Sequence, residues 1–232
     1  MNTGYKCAWT RSRLRGFALP DLVTIIAAIL TLAALVVARA VTVSQKQKLE
    51  RCVANLRQVN GSVLAFCEDN QQTLPAARDT APANLWWFYK EEVKVYLGLE
   101  GPSSKNDLLF ACPSDRGYSD PVPFHLDSRF DYGSYVFNGV TLPGMPNIAG
   151  LELSSLKQPK RTLLVMEWTA HAPLSWHNSR TGKENMPFYC DAQSVVGFVD
   201  GHVNFTKIYY DGYNAAYTRD PIPGYDYQFS GN

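Results

Sequence analysis

Residues 17–38 read FALPDLVTIIAAILTLAALVVA, and the architecture of the chain follows from this stretch. From Leu22 to Ala38 it carries no charge, and fifteen of its seventeen residues are apolar. As a helix, residues 17–38 would span roughly 33 Å at about 1.5 Å per residue, which matches a bilayer hydrocarbon core of about 30 Å. The sequence therefore predicts a membrane-spanning helix near the N-terminus.

This helix is expected to continue beyond the membrane. Between Arg39 and Asn70 the chain has no proline and one glycine, and its apolar residues recur at three-to-four spacing. The apolar face consists of Leu49, Cys52, Val53, Leu56, Val59, Val63, Phe66 and Cys67, and the polar face of Gln45, Lys46, Gln47, Lys48, Glu50, Arg57 and Asn60. One helix from about Asp21 to about Asp69 is the favoured interpretation, and two helices with a break near residues 39–40 are the alternative.

The rest of the chain predicts short strands and loops. Strand candidates are residues 108–111, 134–137 and 162–168. Asp200-Gly201 separates two further apolar-rich runs, 195–199 and 202–208, and indicates a two-residue hairpin turn. A short helix is expected within 83–97, ended by Gly98. The tyrosine-rich C-terminal tail is expected to lie over the domain surface, and the fold class is α+β.

Length and charge limit the classes of function. The 232 residues suit one full domain, and 22 basic against 21 acidic residues give a net charge of +1. This balance excludes a polybasic nucleic-acid binder, so no nucleic-acid partner is expected. Residues 1–16 carry four basic residues and no acid. Because basic flanks stay in the cytoplasm, the chain after residue 40 is expected on the opposite side of the membrane.

Three interpretations of the N-terminus compete. The first is a secretory signal peptide cut after Ala40, and the second is a plain signal anchor. The third rests on residues 15–21, RGFALPD, which resemble the cleavage segment of type IV prepilins and type II secretion pseudopilins. The resemblance implies that a prepilin peptidase cuts between Gly16 and Phe17 and methylates the new amine. The family usually has Glu at the fifth mature position, where this chain has Asp21.

The resemblance also implies a role for Asp21 in assembly. In pilin-like filaments the acid at this position is thought to neutralise the α-amine of a neighbouring subunit, here that of Phe17. A carboxylate near the end of a membrane helix is costly and needs such a partner. Asp21 also suits the first turn of a helix, where a negative charge complements the dipole. The two interpretations are compatible.

Further segments, in chain order, resemble a large bacterial group that joins a prepilin-type segment to a pseudopilin-like periplasmic domain. They are RCVANLRQ at 51–58, AFCED at 65–69, LP at 74–75, FACPSD at 110–115, YVFNG at 135–139, PKRTLLV at 159–165 and FVDGHV at 198–203. One departure is clear. The group usually has His ten positions before the Asp of its closing Asp-Gly, but this chain has Cys190 there, and His177 is the nearest match.

The resemblance implies a pilin-like architecture, in which a long N-terminal helix packs on a small antiparallel sheet with long loops. It divides the chain into a cleaved leader (1–16), a transmembrane and filament-core helix (17–40) and a periplasmic domain (41–232). The implied function is a structural subunit of a type II secretion pseudopilus or type IV pilus-like filament in the bacterial inner membrane. Its partners would be the prepilin peptidase, other pilin-like subunits, an inner-membrane assembly platform and the lipid bilayer. The alternative is a single-pass, membrane-anchored periplasmic binding protein that does not polymerise.

Four cysteines remain once Cys7 leaves with the leader: Cys52, Cys67, Cys112 and Cys190. Cys52 and Cys67 lie on one predicted helix, about 22 Å apart by helical rise, so they cannot bridge each other. Two pairings therefore stay open, and four free thiols are a further alternative. The resemblance favours Cys52–Cys112, because both residues lie in family-like segments, and this leaves Cys67–Cys190 as a second pair.

No enzyme activity, metal site or cofactor is expected. The candidate chemistry-bearing residues are Glu167, His171, His177, Asp191, Asp200 and His202, and none has a diagnostic spacing. The chain has no Cys-x-x-Cys pair, which argues against zinc. Acidic loop residues that could supply oxygen ligands to Ca²⁺ are Asp127, Asp131, Asp211, Asp220 and Asp226. Solvated loop acids are the simpler interpretation of these residues.

Overall fold

The structure, a computed structural model, describes residues 19–76, 85–118, 122–140, 144–172, 174–177, 192–209 and 220–232. The chain divides into two compact units, Met1–Ser44 and Gln45–Asn232. Helix α1 is one continuous α-helix over Leu19–Asp69. It confirms the single long helix expected from the sequence and excludes a break near residues 39–40.

In the first unit, α1 exposes its apolar side chains. The large apolar residues between Leu19 and Val43 are 44% to 80% exposed. An 18-residue window of this helix has a mean hydropathy of 2.5, and none of that window is buried. Within the described residues, α1 is the one helix long and apolar enough to cross a membrane. Apolar surface of this kind requires lipid or other apolar side chains around it.

In the second unit, the C-terminal half of α1 supplies one wall of the hydrophobic core. Five residues at helical spacing are fully buried: Cys52, Leu56, Val59, Val63 and Cys67. They lie on the predicted apolar face, and its other three members, Leu49, Val53 and Phe66, are partly buried and pack against the core. Asn60 was expected on the polar face but is fully buried. Its amide donates to the Phe198 carbonyl, and this hydrogen bond lets a polar side chain enter the core.

The other wall of the core is a four-stranded antiparallel sheet in the order β1-β2-β3-β4. Its strands are β1 (Tyr135–Phe137), β2 (Leu163–Glu167), β3 (Ala192–Phe198) and β4 (Val203–Ile208). Strands β1 and β2 are buried along their whole length, whereas β4 lies at the edge and is mostly half-exposed. The described residues thus form the α+β layout that the sequence predicts.

The hairpin between β3 and β4 differs in detail from its prediction. The Phe198 amide donates to the His202 carbonyl and the Gly201 amide donates to the Phe198 carbonyl, so the connection has three residues and not two. Gly201 has a φ of 93°, in the left-handed region that glycine enters without strain. A turn followed by a left-handed glycine is a common way to close a three-residue hairpin.

Three other predictions need correction or refinement. Residues 108–111 do not form a strand, because Leu108–Phe110 is a 3-10 turn. The expected helix before Gly98 is a short α2 (Tyr89–Val93) that tightens into a 3-10 turn over Lys94–Leu97, and Gly98 ends it with a φ of 70°. The described part of the tail lies only partly on the surface, since Pro221 and Asp226 are exposed but Tyr227 and Phe229 are fully buried.

Helix α1 approaches the sheet closely at Gly197. A methyl group added there would lie 2.5 Å from Asn60 Oδ1 and 3.1 Å from the carbonyl oxygen of Val165. Gly61 offers a matched contrast, because a methyl group there would meet no atom within 4 Å.

We predict opposite effects of the same substitution at these two positions. Gly197→Ala should lower the free energy of unfolding by about 1–3 kcal/mol, because Asn60 must move and lose its buried hydrogen bond. Gly61→Ala should raise it by up to about 1 kcal/mol through helix propensity. Thermal unfolding of the full-length protein in detergent measures both. An unchanged midpoint for Gly197→Ala would contradict the packing described here.

Candidate functional site

Within the described residues, one group of potential metal-ligating side chains lies where α1 meets the end of β2. Cys52 comes from α1, Cys112 from the loop after the Leu108–Phe110 turn, Glu167 from the last position of β2 and His177 from the segment 174–177. One atom from each of these four residues lies within 4.8 Å of the others. The first three residues are fully buried, and the His177 side chain is 3% exposed. We call these four residues the Cys–Glu–His cluster.

The two cysteines of the cluster form a disulfide, Cys52–Cys112, which closes a sequence separation of 60 residues. Their Cα atoms are 5.1 Å apart, within the usual range for disulfides. This is the pairing that the resemblance favours. The bridge ties α1 covalently to the loop that leads into β1.

Cys67, expected to pair with Cys190, is a buried free thiol. Burial, followed by the nearby charge of Glu68, raises the pKa of this thiol to about 11. Cys67 is therefore protonated and unreactive at neutral pH. Cys190 lies outside the described residues, so this departure from the expected second pair needs a chemical test.

The carboxylate of Glu167 lies at the centre of the cluster. Its Oε1 is 2.8 Å from His177 Nε2 and 3.1 Å from Cys52 Sγ. Its Oε2 accepts a hydrogen bond of 2.8 Å from the backbone amide of Val195 on β3. Cys112 Sγ lies 3.6 Å from His177 Nε2. The β3 contact fixes the carboxylate so that one oxygen faces the histidine and the sulfurs.

The sheet register explains why Tyr135 lies beside the cluster. Tyr135 on β1 is the cross-strand partner of Glu167 on β2, so the two side chains leave the same face of the sheet. The Tyr135 hydroxyl lies 3.3 Å from both Cys52 Sγ and the Cys52 carbonyl oxygen. Burial, followed by the charge of Glu167, raises the pKa of Tyr135 well above its ordinary value. The phenol therefore stays protonated and can donate a hydrogen bond to the cluster.

A second polar network holds the Cys112 loop in place. The Ser134 hydroxyl donates a hydrogen bond of 2.7 Å to Asp115 Oδ2 and accepts one of 2.9 Å from the backbone amide of Cys112. Asp115 also accepts the backbone amides of Gly117 and His125. On the other side of the loop, the Asn55 amide donates to the Ala111 carbonyl. These bonds explain the Cys-Pro-Ser-Asp segment locally, because its Asp organises the turn that presents Cys112.

The other candidate residues do not join the cluster. His171 is buried between the rings of Trp86 and Phe229, with centroids 5.2 and 6.0 Å away, and burial lowers its pKa to about 3. It is a neutral packing group at physiological pH. Asp200 and His202 pair with each other in the hairpin, with Oδ1 and Nδ1 2.5 Å apart.

The acidic residues considered for Ca²⁺ have other surroundings. Asp127 accepts hydrogen bonds from Arg129, whose side chain lowers the pKa of the carboxyl. Burial raises the pKa of Asp131. Asp220 accepts the amides of Phe229 and Ser230. Within the described residues, Asp226 and these acids belong to no group of three or more potential ligands. Asp191 and Asp211 lie outside the described residues.

The N-terminal candidates belong to the first unit. Asp21 lies in the first turn of α1, as expected, and is exposed. Gly16 and Phe17 lie outside the described residues.

Sequence reasoning identified each member of the cluster but not the cluster itself. Glu167 and His177 were considered as ligands, and Cys52 and Cys112 as a disulfide, yet nothing local joins them. Cys52 and Glu167 are 115 positions apart in sequence. Two features could have indicated the cluster, namely the Cys52–Cys112 disulfide and the β1–β2 register, because together they place Glu167 beside the sulfurs.

Comparison of the chain with protein-family models, curated proteins and solved structures returned no match.

The structure predicts a specific pattern of thiol protection. After exposure to oxidised glutathione and unfolding without reductant, an alkylating reagent should label Cys67. Cys52 and Cys112 should become labelled only after reduction, because the disulfide holds them. Peptide mapping by mass spectrometry reads each cysteine separately. Protection of Cys67 and Cys190 together would instead establish the second disulfide, and labelling of Cys52 without reduction would contradict the first.

Proposed function

We propose that the protein is a membrane-inserted structural subunit of a pilin-like filament, of the type II secretion pseudopilus or type IV pilus kind. The observation that carries the proposal is the two-part character of α1. Its first half exposes a continuous apolar surface, and its second half is built into the core of a folded unit. This division suits a subunit that waits in a membrane and later packs its helix against the helices of other subunits.

The N-terminal segment adds a second line of support. A basic leader ends at Gly16, directly before the apolar stretch. Cleavage after Gly16 would give Phe17 a free α-amine four residues before Asp21. Amine and carboxylate are opposite charges, and each is costly in an apolar surrounding without a partner. In a filament, the Asp21 carboxylate of one subunit would neutralise the Phe17 amine of its neighbour.

The proposal assigns partners and a location. A prepilin peptidase removes the leader and methylates the amine, and an assembly platform in the bacterial inner membrane extracts the subunit. The N-terminus lies in the cytoplasm and the folded unit in the periplasm, because the basic residues precede the apolar stretch. A disulfide between Cys52 and Cys112 suits that oxidising compartment.

Substitution of Asp21 tests the proposal in the native host. Asp21→Ala should insert into the membrane normally but yield no filaments, because the neighbouring amine then has no counter-charge. Asp21→Glu is the matched control, since it keeps the charge and has the side chain that pilins usually carry, and it should still assemble. Membrane extraction at alkaline pH measures insertion, and immunoblotting of sheared filaments measures assembly.

Normal filaments from Asp21→Ala would contradict the assembly role of the carboxylate. A protein that forms no filaments in any version but stays in the membrane would support the anchored binding protein instead.

A further inference from the structure

We propose that the Cys–Glu–His cluster is a zinc site when its two sulfurs are reduced. In this state Cys52, Cys112, Glu167 and His177 bind one Zn²⁺ ion. The disulfide is then the other state of the same two sulfurs, so that the chain holds either the metal or the bridge. This inference does not depend on filament assembly.

The donor set is the first argument. Two thiolate sulfurs, one imidazole nitrogen and one carboxylate oxygen are all established zinc ligands, and four ligands complete a tetrahedral site. Ca²⁺ and Mg²⁺ prefer oxygen-only surroundings, so the sulfurs disfavour them. The four ligands come from α1, the loop after Leu108–Phe110, the end of β2 and the segment 174–177. A bound ion would therefore connect four separate parts of the second unit.

The distances are the second argument. Tetrahedral zinc with usual bond lengths places its ligand atoms roughly 3.3–3.8 Å from one another. Cys112 Sγ and His177 Nε2 are 3.6 Å apart, which lies within this range. Cys52 Sγ and Glu167 Oε1 are 3.1 Å apart, slightly below the range, and would need to separate by a few tenths of an ångström. His177 Nε2 and Glu167 Oε1 are 2.8 Å apart and would need to separate by about half an ångström. The largest change is the opening of the disulfide itself.

The surrounding donors are the third argument. The Ser114 amide points at Cys112 Sγ from 3.4 Å, and the Tyr135 hydroxyl lies 3.3 Å from Cys52 Sγ. The Val195 amide holds the Glu167 oxygen that faces away from the cluster. Two thiolates and a carboxylate leave a net charge of −1 around Zn²⁺, and such donors stabilise that charge. Outer hydrogen bonds of this kind orient ligands in known metal sites.

The route to the cluster is the fourth argument. A surface cavity of about 260 Å³ is lined by Cys112 together with Arg51, Pro113 and His125. It reaches the loop that carries Cys112 without requiring the sheet to open. Because Cys52 and Cys112 are fully buried, a metal ion or a small thiol reagent on this side would reach the sulfurs only after a local movement of the Cys112 loop.

The proton and electron balance separates the two states. Zinc binding transfers no electrons: two thiols release two protons as Zn–S bonds form. Formation of the disulfide instead removes two electrons and two protons, which a disulfide-containing oxidant takes up. A newly made chain with reduced thiols can bind zinc directly, and the bridged form has no thiolate to offer.

Metal loading of the full-length protein in detergent tests the proposal. The chain is reduced with a phosphine, loaded with Zn²⁺ and freed of excess metal by gel filtration, and its zinc content is measured by mass spectrometry. We expect one zinc per reduced chain and none in a chain first oxidised with glutathione disulfide. With Co²⁺ in place of Zn²⁺, we expect thiolate-to-metal charge-transfer absorption and the strong visible bands of tetrahedral cobalt.

Variants assign the ligands. Cys52→Ser together with Cys112→Ser should abolish zinc retention. His177→Ala should weaken zinc affinity by more than about 10-fold, because loss of an outer-shell hydrogen-bond partner alone already costs about 10-fold or more. Cys67→Ser together with Cys190→Ser is the matched control and should still retain one zinc per chain. Circular dichroism verifies that each variant is folded.

Two results would overturn the proposal. The first is a reduced wild-type chain that retains no zinc. The second is retention that is lost in the Cys67/Cys190 control or is equal in the oxidised chain, since the sulfurs of the cluster would then not be the ligands. The wild-type comparison stays decisive even if a cluster variant fails to fold.

Discussion

The rest of the structure depends on one constraint, which is that α1 must satisfy two different surroundings along a single helix. Its first half presents apolar side chains outward, and its second half presents an apolar face to the sheet. Burial of that face stabilises the second unit, since apolar area removed from water contributes roughly 25 cal/mol per Å². Among the described residues of the first unit, nothing covers the exposed first half, which needs lipid or neighbouring helices.

The attachment of α1 to the sheet combines packing with covalent and polar bonds. The Cys52–Cys112 disulfide joins the helix to the loop before β1, and Glu167 receives hydrogen bonds from β3 and from His177. Asn60 on α1 adds a buried hydrogen bond to the backbone carbonyl of Phe198 on β3. Removal of one partner from such a buried network leaves the others unsatisfied, which costs more than the bond itself contributes.

The sequence predicts the features that arise from local patterns. The three-to-four spacing from Leu49 to Cys67 predicts the buried face of α1, and Asp200-Gly201 predicts the hairpin, although the turn is one residue longer than expected. Long-range features were harder to predict. Residues Leu108–Phe110 are apolar enough for a strand but form a turn held by Asn55 on α1. Tyr227 and Phe229 enter the core because Gln228 pairs with Thr162 beside β2, a contact that no local pattern specifies.

The most direct test of the central claim is the intact mass and N-terminal sequence of the protein purified from its native membrane. The account predicts a chain that begins at Phe17 and carries one added methyl group. A chain that begins at Met1 would contradict it and indicate a plain membrane anchor. A chain that begins at Val41 would also contradict it and indicate a secreted protein without a membrane helix.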